Sequence, residues 1–203
     1  MYIKKILLNN KITDINLDGV CGLTTIECGG NLIEKLDVSK TAAFSTLASD
    51  QKLSLYQSDI TMELTLTKEQ SNILKNNINY PNARISVAVV ADKYLDVSDN
   101  VTDDKFREYI FSTVDKNNDG KISEYEALLC EELNLNKRGI SSLKGIELFS
   151  NLQVLNCASN DLEKVDLSNN KRLIILDINN NKLSSIDLSA CKELEKLNIN
   201  NNT

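Results

Sequence analysis

Twelve consecutive residues, Asp115 to Glu126, read DKNNDGKISEYE and set out oxygen donors at fixed intervals. A hard divalent cation takes an all-oxygen shell, and this spacing supplies one. Asp115, Asn117 and Asp119 offer side-chain oxygens, Lys121 its backbone carbonyl, Ser123 a water-bridged contact, and Glu126 both carboxylate oxygens. Gly120, at the sixth place, gives the sharp turn that such a loop needs. The expected ion is Ca2+. Three of the loop's ligand positions carry carboxylates, Asp115, Asp119 and Glu126, and the chain holds no second loop of this pattern. Both facts set the expected Kd toward the weak end, ~10⁻⁴ to 10⁻³ M, and favour a structural ion over a fast sensor. Asn, Asp and Gly also suit a plain polar turn between helices. The match at every loop position is what favours the metal over the turn.

Other chemistry is scarce. The chain has no histidine, which excludes Ser-His-Asp and Cys-His nucleophilic schemes, histidine proton shuttles and His-ligated zinc. Carboxylate-only or lysine-based catalysis stays open in principle, but the acids are scattered and no Gly-rich phosphate loop or nucleophile elbow accompanies them. No enzyme is expected. Five cysteines, Cys21, Cys28, Cys130, Cys157 and Cys191, are odd in number and lack CxxC spacing, so neither a zinc knuckle nor a disulfide framework is indicated. A net charge of -6 argues against a nucleic-acid or anionic-membrane surface, since nothing would neutralise phosphate. The N-terminal MYIKKILLNN is too short in apolar residues for a signal h-region or a membrane span.

The loop must be held by its flanks. Phe106, Ile110, Phe111 and Val114 form an apolar stripe at helical spacing before it, and Ile122 occupies the place where such a loop buries one aliphatic side chain. Thr102 is expected to cap the first helix, Val101 and Phe106 to staple it, and Asp103 and Asp104 to suit its positive end. Ser123 and Glu126 form a capping box for a second helix running to about Glu131, so Glu126 is shared between capping and calcium. A calcium loop between two such helices is an EF-hand.

Beyond the second helix the chain becomes periodic. Leu162, Val165, Leu167, Leu173, Leu176, Ile178 and Asn181 recur 21 residues later as Leu183, Ile186, Leu188, Leu194, Leu197, Ile199 and Asn202. Leu152, Leu155, Cys157 and Asn160 fit the same register, and Leu133, Leu135, Ile140, Leu143 and Ile146 continue it with one extra residue. Near the N-terminus Ile12, Ile15, Leu17, Leu23, Ile26, Cys28 and Asn31 map onto Ile33, Leu36, Val38, Phe44, Leu47, Ser49 and Lys52. Such a period predicts a solenoid. LxxLxLxxN turns alternate aliphatics inward from a short strand, and each corner asparagine can bond backbone groups of the neighbouring turn. Cys28 and Cys157 fall at an aliphatic place and are expected to fill the core. Asp166–Ser168 and Asp187–Ser189 alternate again, as a second, convex-side strand would.

These residues resemble leucine-rich repeats. Together with the upstream EF-hand and the block GISSLKGIELFSNLQVLNCASNDL at 139–162, they resemble bacterial surface leucine-rich-repeat proteins of the BspA-like and internalin-like kind, over residues 1–52 and 101–203. The resemblance implies a horseshoe or gently curved ladder used for adhesion, with a protein or glycan partner and a secreted or cell-surface location. Repeats specify fold sharply and ligand hardly at all.

Residues 53–100 break the register. ITMELTLT and RISVAVVA read as strands, with 68–79 as helix or loop, and the segment is expected to form a β-rich cap. The expected organisation is α/β: a repeat segment at 1–52, the cap at 53–100, the EF-hand at 101–131 and a second repeat segment at 132–203. The EF-hand then stands where a solenoid needs a terminal cap. Val154, Asn156, Ala158, Ile175, Asp177, Asn179, Lys196, Asn198 and Asn200 would line the concave face, either as a partner surface or as a solvated sheet face. A calcium sensor is the other class, but it calls for paired loops and a Met-rich groove, whereas the two methionines, Met1 and Met62, lie outside the loop. Tyr2–Asn10 and Asn200–Thr203 read as interrupted repeats, so a longer repeat protein or end-to-end stacking is expected.

Overall fold

The computed structural model describes residues 3–17, 20, 23–41, 62–77, 85–91 and 93–203. Its contacts divide the chain into two compact units, Met1–Lys93 and Tyr94–Thr203. Among the described residues no helix is long and apolar enough to cross a membrane.

In the first unit β1 (Ile3–Ile6) pairs in parallel with β2 (Leu23–Glu27), their partners lying one 21-residue repeat apart from Lys4↔Thr25 onward. A second parallel sheet orders β3 (Lys35–Asp37), β4 (Met62–Thr67) and β5 (Ile85–Val90). Leu23, Ile26, Cys28, Ile33, Leu36, Val38, Met62, Leu64 and Leu66 form its core. The strands expected as a separate cap at 53–100 therefore extend a ladder that begins inside the N-terminal repeats, and the chain divides after Lys93 rather than at 52 and 100. The segment left as helix or loop is α1 (Lys68–Asn77). A reciprocal box starts it: Gln70 N donates to Thr67 Oγ1 at 3.1 Å, and Thr67 N to Gln70 Oε1 at 2.9 Å. The repeat positions Phe44, Leu47, Ser49 and Lys52 lie outside the described residues.

The second unit carries three further α-helices and the long ladder. β6 (Tyr94–Leu95) pairs antiparallel with β7 (Ile122–Ser123), and α2 (Val97–Asn100), α3 (Asp104–Thr113) and α4 (Glu124–Leu128) surround that pair in sequence. Four three-residue strands follow, β8 (Glu132–Asn134), β9 (Val154–Asn156), β10 (Ile175–Asp177) and β11 (Lys196–Asn198), in one parallel sheet. Their middle residues Leu133, Leu155 and Leu176 are buried. In the turn of β11, Leu197 and Ile199 are 45% and 43% exposed, where Leu176 and Ile178 of the preceding turn are 1% and 0%.

Polar corners hold the turns together. Asn160 Nδ2 donates to Leu135 O and Cys157 O, and its Oδ1 accepts the Arg138 and Ile140 amides. Asn181 and Asn202 repeat this with Cys157 O, Ile178 O and Ile199 O, accepting Leu162 N and Leu183 N. Asn31 does the same in the first unit, between Leu7 O, Cys28 O and Ile12 N. The corner role expected of asparagine is thus met by geometry: one side chain satisfies buried backbone groups on two turns at once.

Three local expectations are corrected. Asp166–Ser168 and Asp187–Ser189 form no strand; Asp166 Oδ1 and Asp187 Oδ1 accept the Ser168 and Ser189 amides at 2.9 and 2.8 Å, closing turns. The equivalent strand exists in the first unit as β3, where Asp37 makes the same turn with Ser39 but β4 lies alongside as a partner. The second helix ends at Leu128, short of Glu131. The cap of α3 is Asp103, not Thr102: Asp103 Oδ1 accepts Lys105 N and Phe106 N at 3.0 and 3.1 Å, while Oδ2 accepts Ser141 N and Oγ at 2.8 and 2.9 Å. That second pair of bonds, from a residue 38 places away, selects Asp103 over its neighbour.

Burial works to raise the Asp103 carboxyl, yet the hydrogen bonds from Ser141, Phe106 and Lys105 outweigh it and hold the group below its ordinary range. Its contribution is therefore present above the unfolded value of about 3.9 and is lost as pH falls through the lower folded value. Asp103→Ala should cost about 1 kcal/mol near neutral pH, as cap replacements do. The difference between the two proteins, followed by urea denaturation, should shrink in acid.

Candidate calcium loop and concave face

The loop at 115–126 is built from amides meeting acids. Asp115 Oδ1 and Oδ2 accept Asp119 N at 3.2 Å and Gly120 N at 2.9 Å. Asn117 Oδ1 also accepts Asp119 N at 2.9 Å, and Asp119 Oδ1 accepts Lys121 N at 2.9 Å. The first, third and fifth positions are thereby turned onto the amides of one tight turn, which passes through φ of 56° at Asn118 and 76° at Gly120. A β-carbon at Gly120 would meet no neighbour within 4 Å, so glycine is required there by backbone conformation alone.

Glu126 resolves the sharing expected of it. Its side chain is 97% shielded, with Oε2 accepting Ser123 N at 3.0 Å and Ser123 Oγ at 3.1 Å, while Glu126 N donates back to Ser123 Oγ. Its Oε1 accepts Lys116 N at 2.8 Å and Asn117 N at 3.3 Å. One carboxylate therefore closes the capping box of α4 and ties the two ends of the loop together. Among the described residues no three of the acidic, cysteine or histidine side chains are gathered as a ready metal cluster. Ser123 is buried, Lys121 exposed, and Ile122 fully buried opposite Leu95.

The first helix fastens this loop to the repeats. Phe106, Ile110 and Val114 are buried in one core with Leu133, Leu135, Ile140 and Leu143, and Phe111 is half-buried against it. Tyr109 Oη accepts the Asn134 amide at 3.1 Å, which covers a donor on the edge strand β8. Lys105 Nζ donates to Gly139 O at 2.8 Å, and the Arg138 guanidinium lies 4.3 Å from the Tyr109 ring centre. At the other end of the helix pair, Asn151 Nδ2 donates to Leu128 O at 2.9 Å.

The sheet brings the expected concave residues into rows. Val154, Ile175 and Lys196 lie in register with Glu132, and Asn156, Asp177 and Asn198 with Asn134. Asn179 and Asn200 follow two places on, but Ala158, next in that row on the β9 side of Asn179, is buried and drops out of the surface. The middle row has local work: Asn134, Asn156, Asp177 and Asn198 each accept, through Oδ1, the amide two residues later. The asparagine oxygens are thus occupied, and the amide nitrogens are the groups left to face outward.

Glu132, Asn134, Tyr109 and Arg138 complete this surface and were missed in the sequence. Glu132 and Asn134 were legible from the phase of Leu133. The aromatic and the guanidinium meet across 29 residues and follow no repeat. The thiols offer no reactive centre among the described residues. Burial pushes Cys28 up to about 11 and Cys130 up to about 12, and burial followed by the charge of Asp177 pushes Cys157 up as well. Cys28 and Cys157 are fully buried, as core-filling side chains.

No family model matches this chain, and no curated protein does. Solved structures do match. The functional domain of InlJ from Listeria monocytogenes, described as including a cysteine ladder, is 28% identical with a TM-score of 0.51, and the match covers 55% of this chain and 25% of that one. The internalin InlF from Listeria monocytogenes is 27% identical with a TM-score of 0.46, covering 52% and 32%. The chain thus spans about a quarter to a third of the length of these neighbours. In the present solenoid the stacked column Leu135, Cys157, Ile178, Ile199 holds a single thiol, so no ladder of cysteines forms in it. The chain is therefore similar in structure to internalins, which are leucine-rich-repeat proteins, and its repeats form the α/β solenoid expected of them.

Proposed function

We propose that the second unit is a non-catalytic interaction module of a bacterial surface protein, stabilised by one calcium ion and presenting the β8–β11 face to a protein or glycan. The observation that carries this reading is the shared core of α3 and the first repeat turn: the helix entering the calcium loop is also the lid on the ladder's edge. Asp115, Asn117, Asp119 and Glu126, with the Lys121 carbonyl and a water on Ser123, would hold the ion. Their oxygens are those of a hard-cation site; Asp115, Asn117 and Asp119 turn onto the amides of one tight turn, and Glu126 binds the amides of Lys116 and Asn117 in the same loop. Bound calcium would replace loop amides as the partner of these oxygens, and Glu126 would surrender at least its bonds to Lys116 and Asn117. That exchange suits a weak, structural site.

The sensor alternative fits less well, because opening the helix pair would strip Phe106 and Ile110 from Leu133 and Leu135 and unroof the sheet. Calorimetric titration of chelated protein should find one site, absent in Asp115→Ala and Glu126→Ala; no heat at millimolar calcium would remove the ion from this account. At free calcium ~100 times Kd, linkage adds about 2.7 kcal/mol to the second unit. For the face, Asn156→Ala and Asn198→Ala should weaken capture on panels of immobilised glycans and proteins, while Lys164→Ala on the convex side should not. Equal loss from both sides would sink the concave assignment.

A further inference from the structure

We propose that Tyr94 is a positioning residue of the calcium loop, its two-residue strand supplying the partner that a lone loop of this kind lacks; the proposal rests on the calcium reading above. β6 and β7 pair with Tyr94 opposite Ser123 and Leu95 opposite Ile122, the ninth and eighth loop positions. Leu95 packs against the main core, which anchors the strand. Tyr94 itself is 43% exposed, so its ring is not held there by burial.

Two further contacts aim it at the loop. Its hydroxyl donates to Asp119 Oδ2 at 3.4 Å, an oxygen that also accepts Asn117 Nδ2 at 3.4 Å while Oδ1 accepts the Lys121 amide. With the Lys121 amide on Oδ1 and two donors on Oδ2, the hydroxyl helps fix the rotation of a carboxylate that would face a cation. The Lys121 ammonium lies 4.8 Å from the Tyr94 ring centre. A cation resting on that face is kept out of the loop, where its charge would oppose calcium. One side chain thus orients an acid, parks the competing ammonium and, through its backbone, braces the segment that carries Ser123.

Residues that orient metal ligands change affinity by roughly ten- to a hundredfold when removed. We expect Tyr94→Ala to weaken calcium binding roughly tenfold, near the lower end of that range, and Tyr94→Phe, which keeps the ring over Lys121 and loses the hydroxyl, to fall between it and the wild type. Because coupling is reciprocal, calcium should slow hydrogen exchange at Leu95 and Ile122 in the wild type and do so less in Tyr94→Ala. Titration with calcium alone, beside melting curves in chelator, separates the outcomes. Unchanged calcium-free melting with weakened binding supports a positioning role. Wild-type affinity in both variants overturns this inference and leaves the calcium site standing, whereas a wild type that binds no calcium overturns both. Should Tyr94→Ala fail to fold, Tyr94→Phe decides alone.

Discussion

Phe106→Ala should lower the stability of the second unit by about 3–5 kcal/mol, the range for truncating a fully buried aromatic. Phe106 is wholly shielded on α3, in the core formed with Ile110, Leu133, Leu135, Ile140 and Leu143. The cavity left by its ring would be bounded on one side by the cap and on the other by the first repeat turn, so neither could collapse without moving the other. Urea denaturation followed by far-UV dichroism gives the measurement. A loss below about 1 kcal/mol, far short of the range for such a truncation, would mean that α3 is a separate appendage, and the coupling of calcium to the ladder would fall with it. Each repeat is stabilised by its neighbours, so a terminal unit needs a cap over its open side. Tyr109 covers the β8 edge with its bond to Asn134, and Asp103 ties the same helix to the first repeat turn through Ser141.

Phase was legible in the sequence because it repeats. Once Leu155 and Leu176 are aligned 21 residues apart, the inward residues, the outward rows and the corner asparagines follow, and the structure places most of them accordingly, Ala158, Leu197 and Ile199 excepted. Partners were not legible. The triplets around Asp37 and Asp166 are nearly the same, and each aspartate closes the same turn onto a serine two places on. One becomes a strand and the other does not, since hydrogen bonding to β4 is a property of the neighbour. The choice of Asp103 over Thr102 likewise turns on Ser141, and the loop's strand partner was hidden in Tyr94–Leu95, which is too short to show a pattern. The T-x-x-Q box at Thr67–Gln70 was readable and would have settled α1.

The same corner in two settings separates the worth of its hydrogen bonds from the worth of their burial. Asn160→Ala removes three donor contacts, to Leu135 O at 2.8 Å, Cys157 O at 2.9 Å and Ala158 O at 3.2 Å, and orphans the amides of Arg138 and Ile140. Ile140 and Cys157 are fully buried there, so water cannot easily replace the lost side chain. Each buried group left unpaired costs about 1–3 kcal/mol, and since part of the Arg138 side is open the expected total is about 3 kcal/mol. Asn202 makes the equivalent bonds, to Ile178 O at 3.1 Å, Ile199 O at 2.8 Å and Leu183 N at 3.1 Å. Beside it Ile199 is exposed and Asn202 is itself only half-buried, so water enters this corner from its open side, although Ile178 and Leu183 are buried. Asn202→Ala should therefore cost about 1 kcal/mol or less, near the net worth of hydrogen bonds exchanged with water. Denaturation midpoints of the two variants, at equal m-value, test the difference directly. Equal losses would show that the corner acts through local turn conformation, which both sites share, rather than by satisfying buried backbone between turns.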